Sequence, residues 1–326
     1  MIEMPKPRLL GEHKLELSIF FVFIAMFAAF LIGNPAVFSR YDIYYSFMST
    51  IPFFGIMALS MTLVVTLGEM DLSFPSVLAF AAWVMGRVLE VTHHIWLAVL
   101  ACLIIGALAG VINAVLIVRI GIPSLVATIG TQFFFRGLVN VCAQGRGISL
   151  VEARGTFLYN LFVGRITIFH FMIPAQAIWF ALLGVAFGIL LKRHKFGSHV
   201  LIVGDNKESA RMMGINIDSV RSWVFIQMGI FAAFAGILST LEVTYFWPSQ
   251  GQGYLLTTLA AVFIGGTSVF GGMGTIFGTF IGALLIGSLE SGIVAIGLTG
   301  FWVQFIYGLI ILIAVSIYAM LLRKRG

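Results

Sequence analysis

Residues 192–221 read KRHKFGSHVLIVGDNKESARMMGINIDSVR, and this polar segment decides how the rest of the chain must fold. Apolar sequence flanks it closely, ending at Leu191 and resuming at Trp223. A soluble protein spreads its charges over its whole surface, whereas a bilayer confines them to the few segments that remain in water. The sequence therefore predicts a membrane protein with one long aqueous loop at 192–221.

The composition agrees with a membrane location. Of the 326 residues, 60% are hydrophobic and only 10% are charged, against about 25% charged residues in soluble domains. The net charge of +6 is concentrated beside apolar runs, which suits membrane topology better than nucleic-acid binding. Cys102 and Cys142 lie in or beside apolar runs without metal-like spacing, so each is interpreted as a buried thiol without a special function. We expect neither a nucleic-acid partner nor a metal site.

Ten apolar runs have about the 17–25 residues that a crossing needs. They lie at 17–36, 44–67, 72–91, 95–118, 122–143, 171–191, 221–243, 255–272, 274–296 and 300–322. The junctions at 67–72 and 272–274 are too short for ordinary loops, so one or more runs are expected to be broken or re-entrant. The predicted fold class is an all-α polytopic membrane protein with about ten transmembrane helices.

The basic residues predict the orientation. If all ten runs cross and the N-terminus is cytoplasmic, thirteen Lys and Arg residues lie inside and five outside, with Arg136 within the fifth run. This asymmetry agrees with the positive-inside rule. It predicts an inner-membrane protein with a cytoplasmic segment at 1–16, one transmembrane domain at 17–322 and a cytoplasmic tail at 323–326. The loop 192–221 is then cytoplasmic as well.

A short surface helix is predicted within this loop. Asn206 can cap its start, Glu208 lies in the first turn, where the helix dipole favours a carboxylate, and Gly214 supplies the stop. Ala210 and Met213 are three residues apart, which predicts one apolar side. Such a helix is suited to inserting into another protein.

Glycine is concentrated in the second half of the chain. Six glycines occupy fourteen residues, namely Gly265, Gly266, Gly271, Gly272, Gly274 and Gly278. In a membrane, glycines allow either close helix packing or a helix break beside a cavity, and the paired Gly-Gly steps favour a break. Segment 68–76 has the same character, since Asp71 and Ser73 can cap a helix start and Pro75 suits its first turn. Runs two to five and seven to ten have opposite orientations, as an inverted repeat would require.

Placing a charged residue at membrane depth costs free energy unless the charge is paired or hydrated. Glu69 and Asp71 form either a solvated or helix-capping pair or part of a translocation path. Glu290 is the single charge between Val243 and Leu322, and we hypothesise that it pairs across helices with Arg136.

The longest extracytoplasmic loop, 144–170, is basic. It carries Arg146, Arg154 and Arg165 but only one acidic residue, Glu152. From its residues alone, the loop is interpreted as solvated and in contact with lipid headgroups.

Several stretches together resemble one transporter family. The residues Glu208-Ser209-Ala210, with Gly214 four positions later, resemble the EAA loop in the membrane subunits of bacterial ABC importers. The other matching stretches are 68–73 (GEMDLS), 123–130 (PSLVATIG) with 136–137, 253–254, and the glycine-rich 260–279. Their order and spacing, from about residue 55 to 320, resemble ribose-type permeases, the branch shared with galactose, xylose, autoinducer-2, nucleoside and branched-chain amino-acid importers.

This resemblance implies the permease subunit of an ATP-driven importer. It implies that an ATP-binding cassette subunit docks on Asn206, Glu208, Ser209, Ala210, Met213 and Gly214. It assigns a translocation path or gate to Gly68, Glu69, Asp71, Ser73, Gly253, Tyr254, Gly265, Gly266, Thr267, Gly271 and Gly272. It further implies a second permease copy or related partner, and an extracytoplasmic substrate-binding protein that meets Arg146 and Arg154.

The implied solute is a pentose, another monosaccharide or a polyol, although the sequence departs from the sugar permeases at two points. Glu69-Met70 replaces their common Gly-Ile, and Leu255 and Thr257 replace acidic residues after Gly-Tyr.

The chain contains no Gly-Lys dipeptide and hence no phosphate-binding Walker A loop, so ATP and Mg²⁺ are assigned to the partner subunit. No catalytic motif predicts an enzyme. The alternative is an ion-coupled secondary transporter or channel without an ATPase subunit.

Overall fold

The structure is a computed structural model that describes residues 9–169, 171–295, 302–309 and 312. In chain order the helices are α1 (Leu9–Gly33), α2 (Pro35–Phe38), α3 (Tyr41–Thr66), α4 (Phe74–Thr92), α5 (Ile95–Ala114), α6 (Ser124–Ala143), α7 (Phe157–Val163), α8 (Ala175–Arg193), α9 (Lys195–Asp205), α10 (Lys207–Met212), α11 (Ile217–Val243), α12 (Tyr254–Ile264), α13 (Ile276–Ala295) and α14 (302–309). A π-helical turn (Val115–Arg119) extends α5, and a 3-10 turn (Val151–Ala153) precedes α7. Among the described helices, α3, α4, α5 with its π turn, α6, α8 and α11 are long and apolar enough to cross a bilayer. The predicted all-α polytopic membrane fold is therefore confirmed.

Helix α3 forms the centre of the fold. Its sequence is apolar on all sides, which is typical of a helix surrounded by protein, and every residue from Ile51 to Thr66 is buried. Helices α8, α11, α12 and α13 all contact α3, and α11 also packs on α4 and α5.

The outer surface of the bundle is apolar. Phe133 and Phe134 on α6, and Leu182, Val185 and Ile189 on α8, are each more than half exposed. Large exposed apolar surface is typical of a membrane or protein contact rather than of a surface in water.

Two short antiparallel ladders lie beside the helices. Strand β1 (Ile148–Ser149) pairs with β4 (Tyr245–Phe246), and β2 (Arg165–Ile168) pairs with β3 (Phe171–Pro174). Because β3 occupies the start of the run predicted at 171–191, α8 begins four residues later than predicted.

Two irregular segments interrupt the helical pattern where short junctions were predicted. The first break, residues 67–73, separates α3 from α4, and the second break, residues 265–275, separates α12 from α13. Helix α12 has only eleven residues, so the eighth predicted run, 255–272, is broken as expected. The tenth run, 300–322, lies largely outside the described residues, as do residues 1–8 of the segment 1–16 and all of the tail 323–326.

Candidate coupling site and gate

Helix α10 forms where the sequence predicted a short helix. Asn206 is extended, which separates α10 from α9, and its side-chain oxygen accepts a hydrogen bond from Ser209 N at 2.9 Å. Gly214 has a φ of +75°, a conformation that glycine adopts at little cost and that ends helices. The predicted cap and stop are confirmed.

The exposed side of α10 differs from the prediction. Ala210 is fully buried against the rest of the chain, whereas Met212 and Met213 are 77% and 66% exposed. The predicted apolar side of Ala210 and Met213 is therefore wrong, because Ala210 faces the chain itself and Met212 joins Met213 on the outside. Glu208 and Arg211 form an exposed ion pair at 2.9 Å. Adaptable methionines beside exposed charges are suited to a protein contact.

The end of α9 contacts the end of α3 and the second break through backbone alone. A Cβ on Gly204 would lie 1.9 Å from the Thr66 carbonyl oxygen and 2.8 Å from Gly272 N. Gly272 N donates a hydrogen bond to that same carbonyl at 2.8 Å, and a Cβ on Gly271 would lie 2.6 Å from Gly204 O. No side chain therefore separates α9 from the end of α3 or from the second break.

Glu69 connects the first break to the polar loop. Its side chain is only 6% exposed, and its carboxylate accepts hydrogen bonds from Arg221 Nε at 2.9 Å and Lys207 Nζ at 3.3 Å. Of the predicted solvated or helix-capping pair, the solvated reading of Glu69 and Asp71 is wrong, because both side chains are buried. Glu69 instead holds the starts of α10 and α11 against the first break.

Asp71 anchors a buried hydrogen-bond network in the same break. One carboxylate oxygen accepts from Ser73 N at 2.8 Å and from Ser73 Oγ at 2.6 Å. Asn113 on α5 donates to Ser73 Oγ at 2.8 Å, and Thr131 on α6 donates to the Asn113 side-chain oxygen at 2.7 Å. The network fixes the break at the point where α4 begins, with Pro75 in the first turn of that helix as predicted.

The second break packs against α13 and α3. A Cβ on Gly265 would lie 2.5 Å from Thr279 N, and the Thr279 hydroxyl is hydrogen-bonded to the Thr62 hydroxyl of α3 at 2.8 Å. Gly266 has a positive φ. Thr267 is buried and its hydroxyl has no hydrogen-bond partner among the described residues.

Three of the sequence stretches that carried the family resemblance, 68–73, 123–130 and the glycine-rich 260–279, meet at this end of the molecule. Met70 N in the first break donates to Ser124 Oγ at the start of α6, at 3.1 Å. A Cβ on Gly271 would lie only 3.0 Å from Gly68 Cα. Stretches far apart in sequence thus form one junction with α9 and α10.

Arg136 and Glu290 are not paired, so that prediction is wrong. Arg136 donates to the carbonyl oxygens of Pro248 at 2.9 Å, Gln250 at 3.2 Å and Pro75 at 3.3 Å. The guanidinium thereby satisfies backbone groups at the start of α4 and in the turn before α12. Glu290 is exposed and lines a cavity with Gly253 and Tyr254, so these two predicted path residues lie away from the junction.

The basic residues predicted for docking lie near the ladders. Arg146 and Arg154 are exposed, and Arg154 donates to Thr244 Oγ1 at 3.0 Å. The Arg165 guanidinium donates a hydrogen bond to the Glu242 carboxylate on α11. Burial alone would lower the pKa of Arg165, but the hydrogen bond and the charge of Glu242 outweigh it and raise that pKa above its ordinary value. Docking of a binding protein at Arg146 and Arg154 stays a prediction.

Sequence reasoning missed several residues of the junction. Gly204 and Arg221 lie in the polar loop, but no local sequence signal indicated their partners. Arg221, for example, is 152 positions from its partner Glu69. Asn113 and Thr131 sit inside apolar runs. A buried amide within an apolar run was the one available signal, since such a group needs a partner.

Comparison with known proteins identifies related chains. Residues 43–315 match the family described as branched-chain amino acid transport system / permease component. The L-arabinose ABC transporter permease protein AraH of Azospirillum brasilense is 31% identical, covering 91% of this chain and 86% of its own. The autoinducer 2 import system permease protein LsrC of Klebsiella pneumoniae is 33% identical, with 91% and 84% covered. The ribose import permease protein RbsC of Escherichia coli K12 is 30% identical, with 81% of each covered. No solved structure matches the chain.

Proposed function

This chain belongs to the family of branched-chain amino acid transport system permease components, and we propose that it is the translocation subunit of an ATP-driven importer. The observation that carries the proposal is the junction of α9 and α10 with both breaks. Helices α9 and α10 lie in the polar loop and contact both interrupted membrane segments. A force that another protein exerts on these helices can therefore open or close a path between the segments.

The proposed mechanism is alternating access. An ATP-binding cassette subunit, which holds ATP and Mg²⁺, docks on the exposed side of α10 at Glu208, Met212 and Met213. When that subunit closes on ATP, α10 and α9 shift together. Gly204 transmits the shift to the end of α3 and to the second break, and the Glu69 ion pairs connect α10 and the start of α11 to the first break. The network of Asp71 keeps the first break rigid, so the movement is passed on instead of being absorbed.

The proposed solute is a pentose, another monosaccharide or a polyol. Relatives carry names that specify L-arabinose, ribose and autoinducer 2, all small polar solutes. An extracytoplasmic binding protein delivers the solute at Arg146 and Arg154, and a second permease copy or a related chain completes the path. The chain crosses the inner membrane about ten times, with both termini in the cytoplasm and its halves related as an inverted repeat.

Transport by the assembled importer in proteoliposomes tests this function. Uptake of labelled L-arabinose or D-ribose is expected to require ATP, the ATPase subunit and the binding protein. Uptake that proceeds without ATP, driven by an ion gradient, would refute the proposal and favour the secondary transporter.

A further inference from the structure

The cavity beside Glu290 is the feature that coupling leaves unexplained. It has a volume of about 360 Å³, a size common for small-molecule sites. Its walls come from α3, α12, α13, α14 and the turn before α12. The polar members of the lining are Thr50, Gln252, Tyr254, Thr257, Glu290, Gln304 and Tyr307.

The cavity lies toward the end opposite the junction. Thr50 and Thr66 are both on α3, sixteen residues apart, which is about 24 Å along the helix. Thr66 contacts the second break, whereas Thr50 lines the cavity. In the proposed orientation the cavity therefore lies at the extracytoplasmic end, where a delivered solute enters.

The carboxylate of Glu290 determines which kind of solute this cavity suits. Its side chain is exposed, and among the described residues no Lys, Arg or His forms an ion pair with it. A carboxylate at membrane depth is stable only where water or a hydrogen-bond donor reaches it, and it is a functional candidate for that reason. The carboxylate accepts hydrogen bonds, while the amides of Gln252 and Gln304 both donate and accept.

This set of groups matches a molecule with several hydroxyls. Each hydroxyl donates one hydrogen bond and accepts others, so neighbouring hydroxyls can satisfy Glu290 and an amide together. The lining also includes Phe53, Phe54 and Tyr254, whose apolar surface suits the C–H faces of a sugar. An anion would be repelled by Glu290.

We propose that this cavity binds a neutral polyhydroxylated solute during transport and that Glu290 accepts hydrogen bonds from its hydroxyls. The proposal rests on the proposed function and adds to it a solute site within the permease itself. Selection would then be shared between the permease and the binding protein.

Cysteine protection in the assembled importer tests the proposal. Thr50→Cys is introduced with Cys142→Ser, since Cys102 is buried as predicted but Cys142, contrary to the prediction, is exposed. In right-side-out vesicles, an impermeant cationic methanethiosulfonate reagent is expected to modify Thr50→Cys, and D-ribose, L-arabinose or xylitol should slow that reaction. Glu290→Gln should raise the half-protecting concentration about tenfold, the effect of losing a hydrogen bond to a charged group. Val91→Cys, at an exposed position on α4, is the control and should react equally with and without solute.

The site would be overturned by failure of Thr50→Cys to react, by equal reaction rates with and without all three solutes, or by protection that Glu290→Gln leaves unchanged. Protection by sodium chloride instead of the solutes would assign the cavity to a cation and would also overturn it. ATP-dependent uptake is measured in parallel on the unmodified importer, so loss of the proposed function is seen separately from loss of this site.

Discussion

Glu69→Gln is expected to uncouple ATP hydrolysis from transport. The substitution keeps the side-chain shape but removes the charge that faces Arg221 and Lys207. Removing one partner of a fully buried ion pair costs about 3–5 kcal/mol, whereas exposed pairs contribute below about 1 kcal/mol. The Arg221 side chain is 18% exposed and that of Lys207 is 55% exposed. Water can therefore partly solvate the two cations, and we expect a cost of about 2 kcal/mol.

A cost of this size corresponds to a roughly thirtyfold shift between connected and disconnected states of the junction. In proteoliposomes, solute transported per ATP hydrolysed should fall sharply, while basal ATP hydrolysis continues. The double variant Glu69→Gln with Arg221→Gln should recover part of the loss, because it leaves no buried charge unpaired at that position. Glu90→Gln, in an exposed pair with Arg87, is the matched control. Normal coupling in Glu69→Gln, or a double variant worse than the sum of its singles, would refute the reasoning.

Three further perturbations follow from the same structure. Gly214→Val places a β-branched residue at φ +75°, at a cost of about 1–2 kcal/mol, and should lower transport per ATP while membrane insertion, followed by immunoblotting, stays normal. Gly204→Ala should lower the free energy of unfolding by about 1–3 kcal/mol and lower the melting temperature of the purified permease. Gly188→Ala, with nothing within 4 Å of the added Cβ, should leave the melting temperature unchanged. Equal melting temperatures for the two variants would contradict the close contact at Gly204. Charge reversal of Arg146 and Arg154 should weaken stimulation of ATP hydrolysis by the binding protein, and unchanged stimulation would argue against docking there.

Local signals in the sequence predicted local structure well. Asn206 and Gly214 act through their own backbone and nearest neighbours, so the cap and the stop of α10 were readable without any tertiary information. The paired glycines after Ile264 likewise indicated where the eighth run breaks. Helix α10 has only six residues, and periodicity over so short a helix cannot tell which side faces the same chain. The burial of Ala210 was therefore missed.

Long-range partners were not readable from one sequence. Arg221 follows Glu69 by 152 positions, and nothing local distinguishes it from the other basic residues of the polar loop. Arg136 and Glu290 were matched because each is a charge within an apolar run, but a guanidinium can be satisfied by backbone carbonyls instead of a carboxylate. The proline-containing turn before α12 supplies such carbonyls, and only the folded chain brings them to Arg136.

Side-specific labelling of Met213→Cys tests the central claim most directly. On a Cys142→Ser background, an impermeant maleimide should label Met213→Cys in inside-out vesicles but not in right-side-out vesicles, and the assembled ATPase subunit should block that labelling. Labelling from the extracytoplasmic side, or labelling that the ATPase subunit leaves unchanged, would contradict the claim that α10 is cytoplasmic and is moved by the ATPase subunit.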